Sequence, residues 1–566
     1  MDRGGRAARV AGAAAFSACW LGVLRGVVAL AALLAMPALA ATYHVRPDGG
    51  SLRQCSGLVD APYGSAVKDR ACAWSHPMIA LPSDGLGGGE SRIAAGDTLE
   101  IAPGQYAMGF GAPGAERCYL SAPWDCMMAS PPSGLSADRP TRIVGKNAAT
   151  CPVKPQLWGQ ERLFVVLTLK KVEHVAVECL EITDHAECVA IPTHPMACRD
   201  KDFPYGPWAS IGLWIEDAKD LRLRHLHVHG LANSGVVAGR VENLSVADVL
   251  VAGNPMAGWD GELHGARENS DYRGRQLFER FVVEWNGCIE GYPERRPKGC
   301  FAQTAGGYGD GMGLARTGGD FVFRDSTFRF NTSDGLDLLY HTKGGTIVLD
   351  RVRAEGNAGN PVKLAGASTV TNSVILGNCD FFKGKPFTHH VDHCRARGDA
   401  LVVTNVLPGD RSAIVNNTIV SAGNVTILVG GPGSSSFTLR NNVVVALPFA
   451  LYPRETSADI YCARDDGSEC SPWPRIDRQH DTVINTRNRR SWCSADGMRC
   501  EQRVAPPFGL ARADTEVVDP RLPAGSPHRD AGVPWPPLPA LDLLGRPRVA
   551  GRSVDRGAVE APVAGP

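Results

Sequence analysis

Asp310, Asp334, Asp337 and Lys363 are the residues of this chain best placed to do chemistry, because they return at nearly one interval. Gly309-Asp310-Gly311-Met312-Gly313-Leu314 is followed 24 residues later by Ser333-Asp334-Gly335-Leu336-Asp337-Leu338, and a further 26 residues on by Gly359-Asn360-Pro361-Val362-Lys363-Leu364. Carboxylates and backbone carbonyls are the ligands of hard cations such as calcium. Asp310 and Asp334 can supply them from neighbouring repeats, Asp337 is near enough in sequence to reach the same ion, and Gly311 and Gly335 let backbone carbonyls approach. Lys363 is one interval past Asp337, where a bound dication and partial burial would lower its pKa. A neutral amine there could take a proton. One reaction uses that combination. The proton beside a uronate carboxylate becomes acidic when a cation neutralises that carboxylate and stabilises the enolate-like anion. The amine removes it, and the glycosidic oxygen leaves by β-elimination.

These residues meet only if the chain winds regularly. An interval of about 20–30 residues with a turn Asn at a fixed offset marks a solenoid, each repeat being one coil of strands stacked about 4.8 Å apart. From about Leu163 to Leu447, runs of three to six β-rich residues alternate with Asn/Gly turns, as in Phe321-Val322-Phe323-Arg324 and Thr346-Ile347-Val348-Leu349. Nothing of helical length separates them, which excludes a doubly wound α/β fold. Asn233, Asn254, Asn331, Asn357 and Asn378 fall at similar places after their strands. Asn tolerates the left-handed conformation and can ladder its amide between coils. The predicted fold is all-β, a single-stranded right-handed parallel β-helix with an N-terminal cap and long disulfide-stapled loops.

Residues 1–40 read as a signal peptide, with Arg3, Arg6 and Arg9, an apolar run from Val27 to Met36, and Ala38-Leu39-Ala40 before the cleavage point. Residues 41–160 are read as the cap and first coils, 161–450 as the β-helix core, and 451–566 as a Cys-rich loop and Pro-rich tail. No later segment reaches about 18 uninterrupted apolar residues, so the mature chain is expected to be soluble, monomeric and either secreted or periplasmic. Removing four basic residues and Asp2 from totals of 59 and 59 leaves 55 Lys+Arg against 58 Asp+Glu. Phosphate binding needs a basic excess, so nucleic acid is excluded as a partner. Of the 17 cysteines, Cys19 leaves with the signal. Fourteen of the rest pair by proximity as Cys55/Cys72, Cys118/Cys126, Cys188/Cys198, Cys288/Cys300, Cys379/Cys394, Cys462/Cys470 and Cys493/Cys500, which leaves Cys151 and Cys179. In an exported chain these read as disulfides.

The site segments resemble the pectate-lyase-type β-helix superfamily, and within it the family-nine polysaccharide lyases. That family's calcium site is an Asp followed one coil later by an Asp-Asp-Gly-x-Asp run, and its base is a Lys in an Asn-Gly-x-x-x-Lys-Leu-Gly-like segment. Asp310, Ser333-Asp334-Gly335-Leu336-Asp337 and Asn357-Ala358-Gly359-Asn360-Pro361-Val362-Lys363-Leu364 follow that pattern over about 60 residues. The resemblance implies calcium ligands at Asp310, Asp334 and Asp337, a base at Lys363, and an acidic polysaccharide as substrate. Ser333 stands where the family has an acid, which removes a charge from the metal set.

Trp259 could stack on a sugar, Asp260 and His264 could contact hydroxyls, and Arg316 could bind a carboxylate. The His389-His390-Val391-Asp392-His393 run lies in the Cys379–Cys394 loop and reads as a solvated loop before a metal site. Other readings of the central residues stay open: Asp-Gly is also ordinary turn chemistry, and Lys363 could pair with Asp337 across coils as a salt bridge. The same carboxylates could serve a glycoside hydrolase, or the coil could bind glycans without cutting them.

Overall fold

The computed structural model describes residues 40–64, 68–85, 88–263, 270–301, 309–464, 466–487, 492–505, 519–536 and 539–562; the signal-peptide expectation lies outside these, apart from Ala40. The chain from Ala41 onward winds as a right-handed parallel β-helix. Each coil contributes three strands. Asp310–Leu314, Asp320–Arg324 and Thr327–Arg329 are followed by Leu336–Leu338, Thr346–Asp350 and Arg353–Glu355, then by Val362–Ala365, Ala367–Thr371 and Val374–Gly377. Every strand pairs in parallel with its equivalent one coil away, giving three sheets that run the length of the molecule. Among the described residues the only α-helix is Pro77–Ala80, and no helix is long and apolar enough to cross a membrane.

Parallel register turns period-two alternation into interior columns. In the first sheet Met312, Leu336, Val362, Leu401, Ile427 and Ile460 lie one above another, none more than 4% exposed. In the second sheet Phe278, Phe323, Leu349, Val370, Ile414 and Leu439 do the same. Each such side chain contributes about 1.5–3 kcal/mol when fully buried, and the column is what holds the coils in step.

The corner between the third and first sheets carries a buried asparagine ladder. Asn254 Nδ2 donates to Asn286 Oδ1 at 3.0 Å, Asn286 Nδ2 to Asn331 Oδ1 at 3.0 Å, and Asn331 Nδ2 to Asn357 Oδ1 at 2.9 Å. Each Oδ1 also accepts the backbone N–H of the residue below it, at 3.1–3.3 Å. Asn378 continues the series by accepting the Gly356 N–H. Two positions differ from expectation. Asn233 is not a rung; its side chain accepts the Ser234 hydroxyl. Asn286 is a rung that the sequence interval hides, because the inserted loop before Asp310 lengthens the spacing to Asn331 to 45 residues.

Seven of the eight disulfides follow the pairs expected from proximity, and in the eighth Cys151 joins Cys179. Two of the stapled loops leave the helix at the asparagine corner, and together they build a small separate sheet. The hairpin Cys288–Gly291 with Arg296–Phe301 pairs along Arg296–Phe301 with Thr388–His390 of the Cys379–Cys394 loop. The Pro-rich tail packs along the helix, where Asn372 and Asn441 donate to the Leu541 and Val533 carbonyls and Ala558 N–H reaches Thr418 Oγ1.

Replacing Asn331 with Ala should strand the buried Asn286 backbone N–H and leave its amide only the Val251 carbonyl. A buried donor without a partner costs about 1–3 kcal/mol, so the denaturant midpoint should fall by the equivalent of roughly 2–4 kcal/mol. An unchanged midpoint would mean that the ladder is dispensable.

Candidate functional site

The glycine that follows each acid is explained by the ladder. A Cβ on Gly311 would lie 2.5 Å from the Gly335 carbonyl oxygen and 2.7 Å from Asn331 Nδ2; one on Gly335 would lie 2.4 Å from the Pro361 oxygen and 2.7 Å from Asn357 Nδ2. Neither glycine has a positive φ. Their role is close approach, as each Asn rung seats itself beneath the next strand. That fit fixes the residue immediately before the glycine at the start of the first-sheet strand, and at two coils running this residue is aspartate.

The acids are tied into the winding. Asp310 Oδ1 accepts the Asp334 N–H at 2.9 Å, Asp334 Oδ1 accepts the Asn360 N–H at 2.6 Å, and Asp337 Oδ1 accepts the Leu339 N–H at 2.9 Å. Each carboxylate therefore keeps an oxygen for another partner. Asp337 is in register with Lys363. The ammonium Nζ lies 2.5 Å from Asp334 Oδ2 and 3.2 Å from Asp337 Oδ2, so it bridges the two acids. These four side chains sit in a groove of about 580 Å³ on the outer face of the first sheet.

Burial and charge set the protonation. Burial pushes the Asp310 carboxyl up to about 7, with the Asp334 and Asp337 charges adding to it. Asp337 is raised by burial, with the Lys363 charge opposing. For Lys363 burial acts to lower the pKa, but Asp334 and Asp337 together outweigh it and hold the amine well above its usual value. In this arrangement Lys363 is an ammonium, which is the cross-coil salt bridge. With all three carboxylates ionised, one ammonium leaves two negative charges, a deficit that one divalent cation balances. One oxygen from each of Asp310, Asp334 and Asp337 lies within 4.8 Å of the other two. Oxygens bound to one calcium at 2.3–2.6 Å can be separated by up to about 5 Å. The donor set fits calcium in charge, in atom type and in spacing.

The remaining sequence-derived candidates fare differently. Ser333 is wholly buried and its hydroxyl accepts Arg395 Nη1 at 2.9 Å, so it docks a guanidinium at the groove. Trp259 is not a sugar platform. It is in register with Val236 and Met312 of the interior column, it is 0% exposed, its ring meets Phe278 and Phe281 edge-on, and its Nε1 donates to the Tyr272 hydroxyl. Strand alternation sends its neighbour Asp260 outward instead, into the groove, where burial raises that carboxyl to about 6. Arg316 is exposed, two residues beyond the end of strand Asp310–Leu314, and is not part of the groove wall. His264 lies outside the described residues. In the histidine run, His389 stacks on Phe301 at 4.9 Å, and the run forms no metal-ligand group among the described residues.

Sequence reasoning missed Arg395 and Asp399. Asp399 continues the acid column: its Oδ1 accepts the Val425 N–H at 2.9 Å, Asn360 Nδ2 donates to its carbonyl, and burial lifts its carboxyl to about 7. Gly398-Asp399-Ala400-Leu401 repeats the Gly309-Asp310-Gly311-Met312 pattern. The inserted disulfide loop displaces it from the regular interval.

No protein-family profile matches the sequence, and no curated protein sequence matches it. Among solved structures the chain is similar in fold to pectate lyase Pel9A, at 14% identity and a TM-score of 0.42 over 92% of this chain and 96% of that one. XylC in complex with xylose aligns at 10% identity and 0.41 over 92% and 99%, and a rhamnogalacturonan lyase at 13% and 0.35 over 78% and 87%. What those proteins bind or cut is theirs.

A raised acid is protonated in the folded state while its unfolded counterpart has ionised, so between about pH 4 and pH 7 the folded protein binds the extra proton and loses stability as pH rises. Asp310→Asn keeps the acceptor and removes the titration. Without added metal, the variant should gain on the wild type between pH 5 and pH 8, by on the order of 2 kcal/mol. Parallel pH profiles would contradict the buried, raised carboxyl.

Proposed function

We propose that this protein is an exported, calcium-dependent polysaccharide lyase that cleaves a uronate-containing, pectate-like polymer by β-elimination. The observation that carries the reading is the convergence of Asp310, Asp334, Asp337 and Lys363 in one groove, with the amine within 2.5–3.2 Å of two of the acids. The eight disulfides suit an oxidising compartment outside the cytoplasm. On this reading Asp310, Asp334 and Asp337 hold the calcium. When bound, the ion supplies charge compensation, both to the substrate carboxylate, which makes the neighbouring C–H acidic, and to the acids that otherwise keep Lys363 protonated.

Lys363, having released its own proton to solvent, takes the C5 proton of the uronate on the neutral Nζ. The electron pair becomes the C4–C5 double bond, the C4–O bond breaks, and the leaving oxygen takes a proton from water. Arg395, docked on Ser333 at the groove, is placed to pair with a uronate carboxylate. The groove wall away from the acids, including Ile211, Trp214 and Val237, offers apolar surface to sugar faces.

A hydrolase is the second reading. It is favoured by acids whose oxygens lie within 4.8 Å, near the spacing of a retaining pair, and by an Asp310 that can carry a proton near neutral pH.

Lys363→Arg separates the two. Arginine keeps the positive charge among the acids, so the protein should fold, but a guanidinium cannot act as a base near neutral pH. The variant should lose at least a hundredfold of lyase rate on uronate polymers, read as the ultraviolet absorbance of unsaturated products, while still binding calcium. Wild-type activity in Lys363→Arg, or products without a double bond that form in the presence of chelator, would overturn the lyase reading.

A further inference from the structure

A second cluster of ligand-type side chains lies on the third sheet, away from the groove. Strands Glu181–Asp184 and His227–His229 pair in parallel, with His227 in register with Glu181. Ile182 and Val228 point into the core and are fully buried. Alternation therefore sends Glu181, His227 and His229 to the outer face together. The two imidazoles stack with ring centroids 3.7 Å apart. One ligand atom from each of the three residues lies within 4.8 Å of the other two.

The surroundings fix these groups in place. His229 Nδ1 lies 2.9 Å from Glu290 Oε1 and Nε2 lies 3.1 Å from Glu181 Oε1, an ion-pair contact whose Nε2 proton a bound metal would displace. Gln156 Nε2 donates to the same Glu181 oxygen at 2.8 Å. A carboxylate on the far nitrogen of a histidine, and an amide on a ligand carboxylate, are the contacts that orient metal ligands. Tetrahedral zinc with ligands at about 2.0–2.2 Å places neighbouring donor atoms roughly 3.3 Å apart, close to the Nε2–Oε1 separation found here. The His227 ring nitrogens take no hydrogen bond from the described residues, and its ring borders a cavity of about 200 Å³ whose wall includes Glu290 and Arg295. Arg295 lies with Nη1 3.1 Å from Glu290 Oε1 and Nη2 3.8 Å from Glu181 Oε1, so one guanidinium is shared between the two carboxylates, nearer to Glu290.

We propose that Glu181, His227 and His229 form a zinc-type divalent metal site, separate from the acid groove and independent of what the groove does. Two imidazoles and one carboxylate are a zinc donor set that leaves a fourth position open. Imidazole nitrogens exclude calcium as the preferred ion. The site ties the third sheet to the Cys288–Cys300 hairpin through Glu290, and that hairpin pairs with the disulfide loop that leads into Arg395.

The test is calorimetric titration of zinc chloride into the full chain, stripped with chelator and resupplied with excess calcium, beside the absorption spectrum of cobalt(II) added in its place. One zinc per chain should bind at micromolar concentration or below. His227→Ala and Glu181→Gln should each weaken it at least tenfold, and Asp310→Asn should leave it unchanged. Bound cobalt should give the intense visible bands of a four- or five-coordinate site with nitrogen ligands. No zinc uptake by the wild type would overturn the proposal. So would a weak octahedral cobalt spectrum, or zinc binding that survives His227→Ala and is lost in Asp310→Asn.

Discussion

Everything at the groove depends on how each coil turns the corner from the third sheet to the first. A buried asparagine at the corner hands its amide to the asparagine of the next coil, and the strand that follows must come so close that only glycine fits beneath it. The contact repeats from Asn254 to Asn357, and it fixes where the first-sheet strand begins in every coil it joins. The residue before the glycine is thereby placed to within a hydrogen bond of its counterpart one coil away, as the Asp310–Asp334 and Asp334–Asn360 contacts record. A site built this way needs no loop to assemble it.

What the winding assembles is electrostatically costly. Asp310, Asp334 and Asp337 are packed around one ammonium, and removing charges from water without full compensation costs several kcal/mol per ion. The protein meets this partly by raising Asp310 towards neutrality and partly by keeping Lys363 protonated. Both responses are what a site waiting for a cation would show. On the proposed reading, a dication supplied to the three carboxylates would reverse each of them, freeing the proton of Asp310 and loosening that of Lys363. On that reading the salt bridge and the base would be two states of one amine, set by the charge beside it.

Much of this was legible in the sequence, because a solenoid converts intervals into contacts. The 24- and 26-residue spacings brought the acids and Lys363 together, and seven of the eight disulfides followed from neighbouring cysteines. The misses share one cause. Inserted loops break the interval, which hid Asn286 before one insertion and Asp399 after another, and put Arg395 at the foot of a loop with no periodic signal at all. Trp259 was misread for a different reason. Strand parity alone aligns it with Met312 in the core, and the pull of an aromatic next to an acid obscured that alignment.

The most direct test of the account is a crystal structure of the protein soaked in millimolar calcium together with a short uronate oligosaccharide. The account predicts an ion about 2.3–2.6 Å from an oxygen of each of Asp310, Asp334 and Asp337, with Lys363 drawn off Asp334 and its Nζ facing C5 of the bound uronate. A groove that takes up no ion, with Lys363 still bridging Asp334 and Asp337, would contradict it.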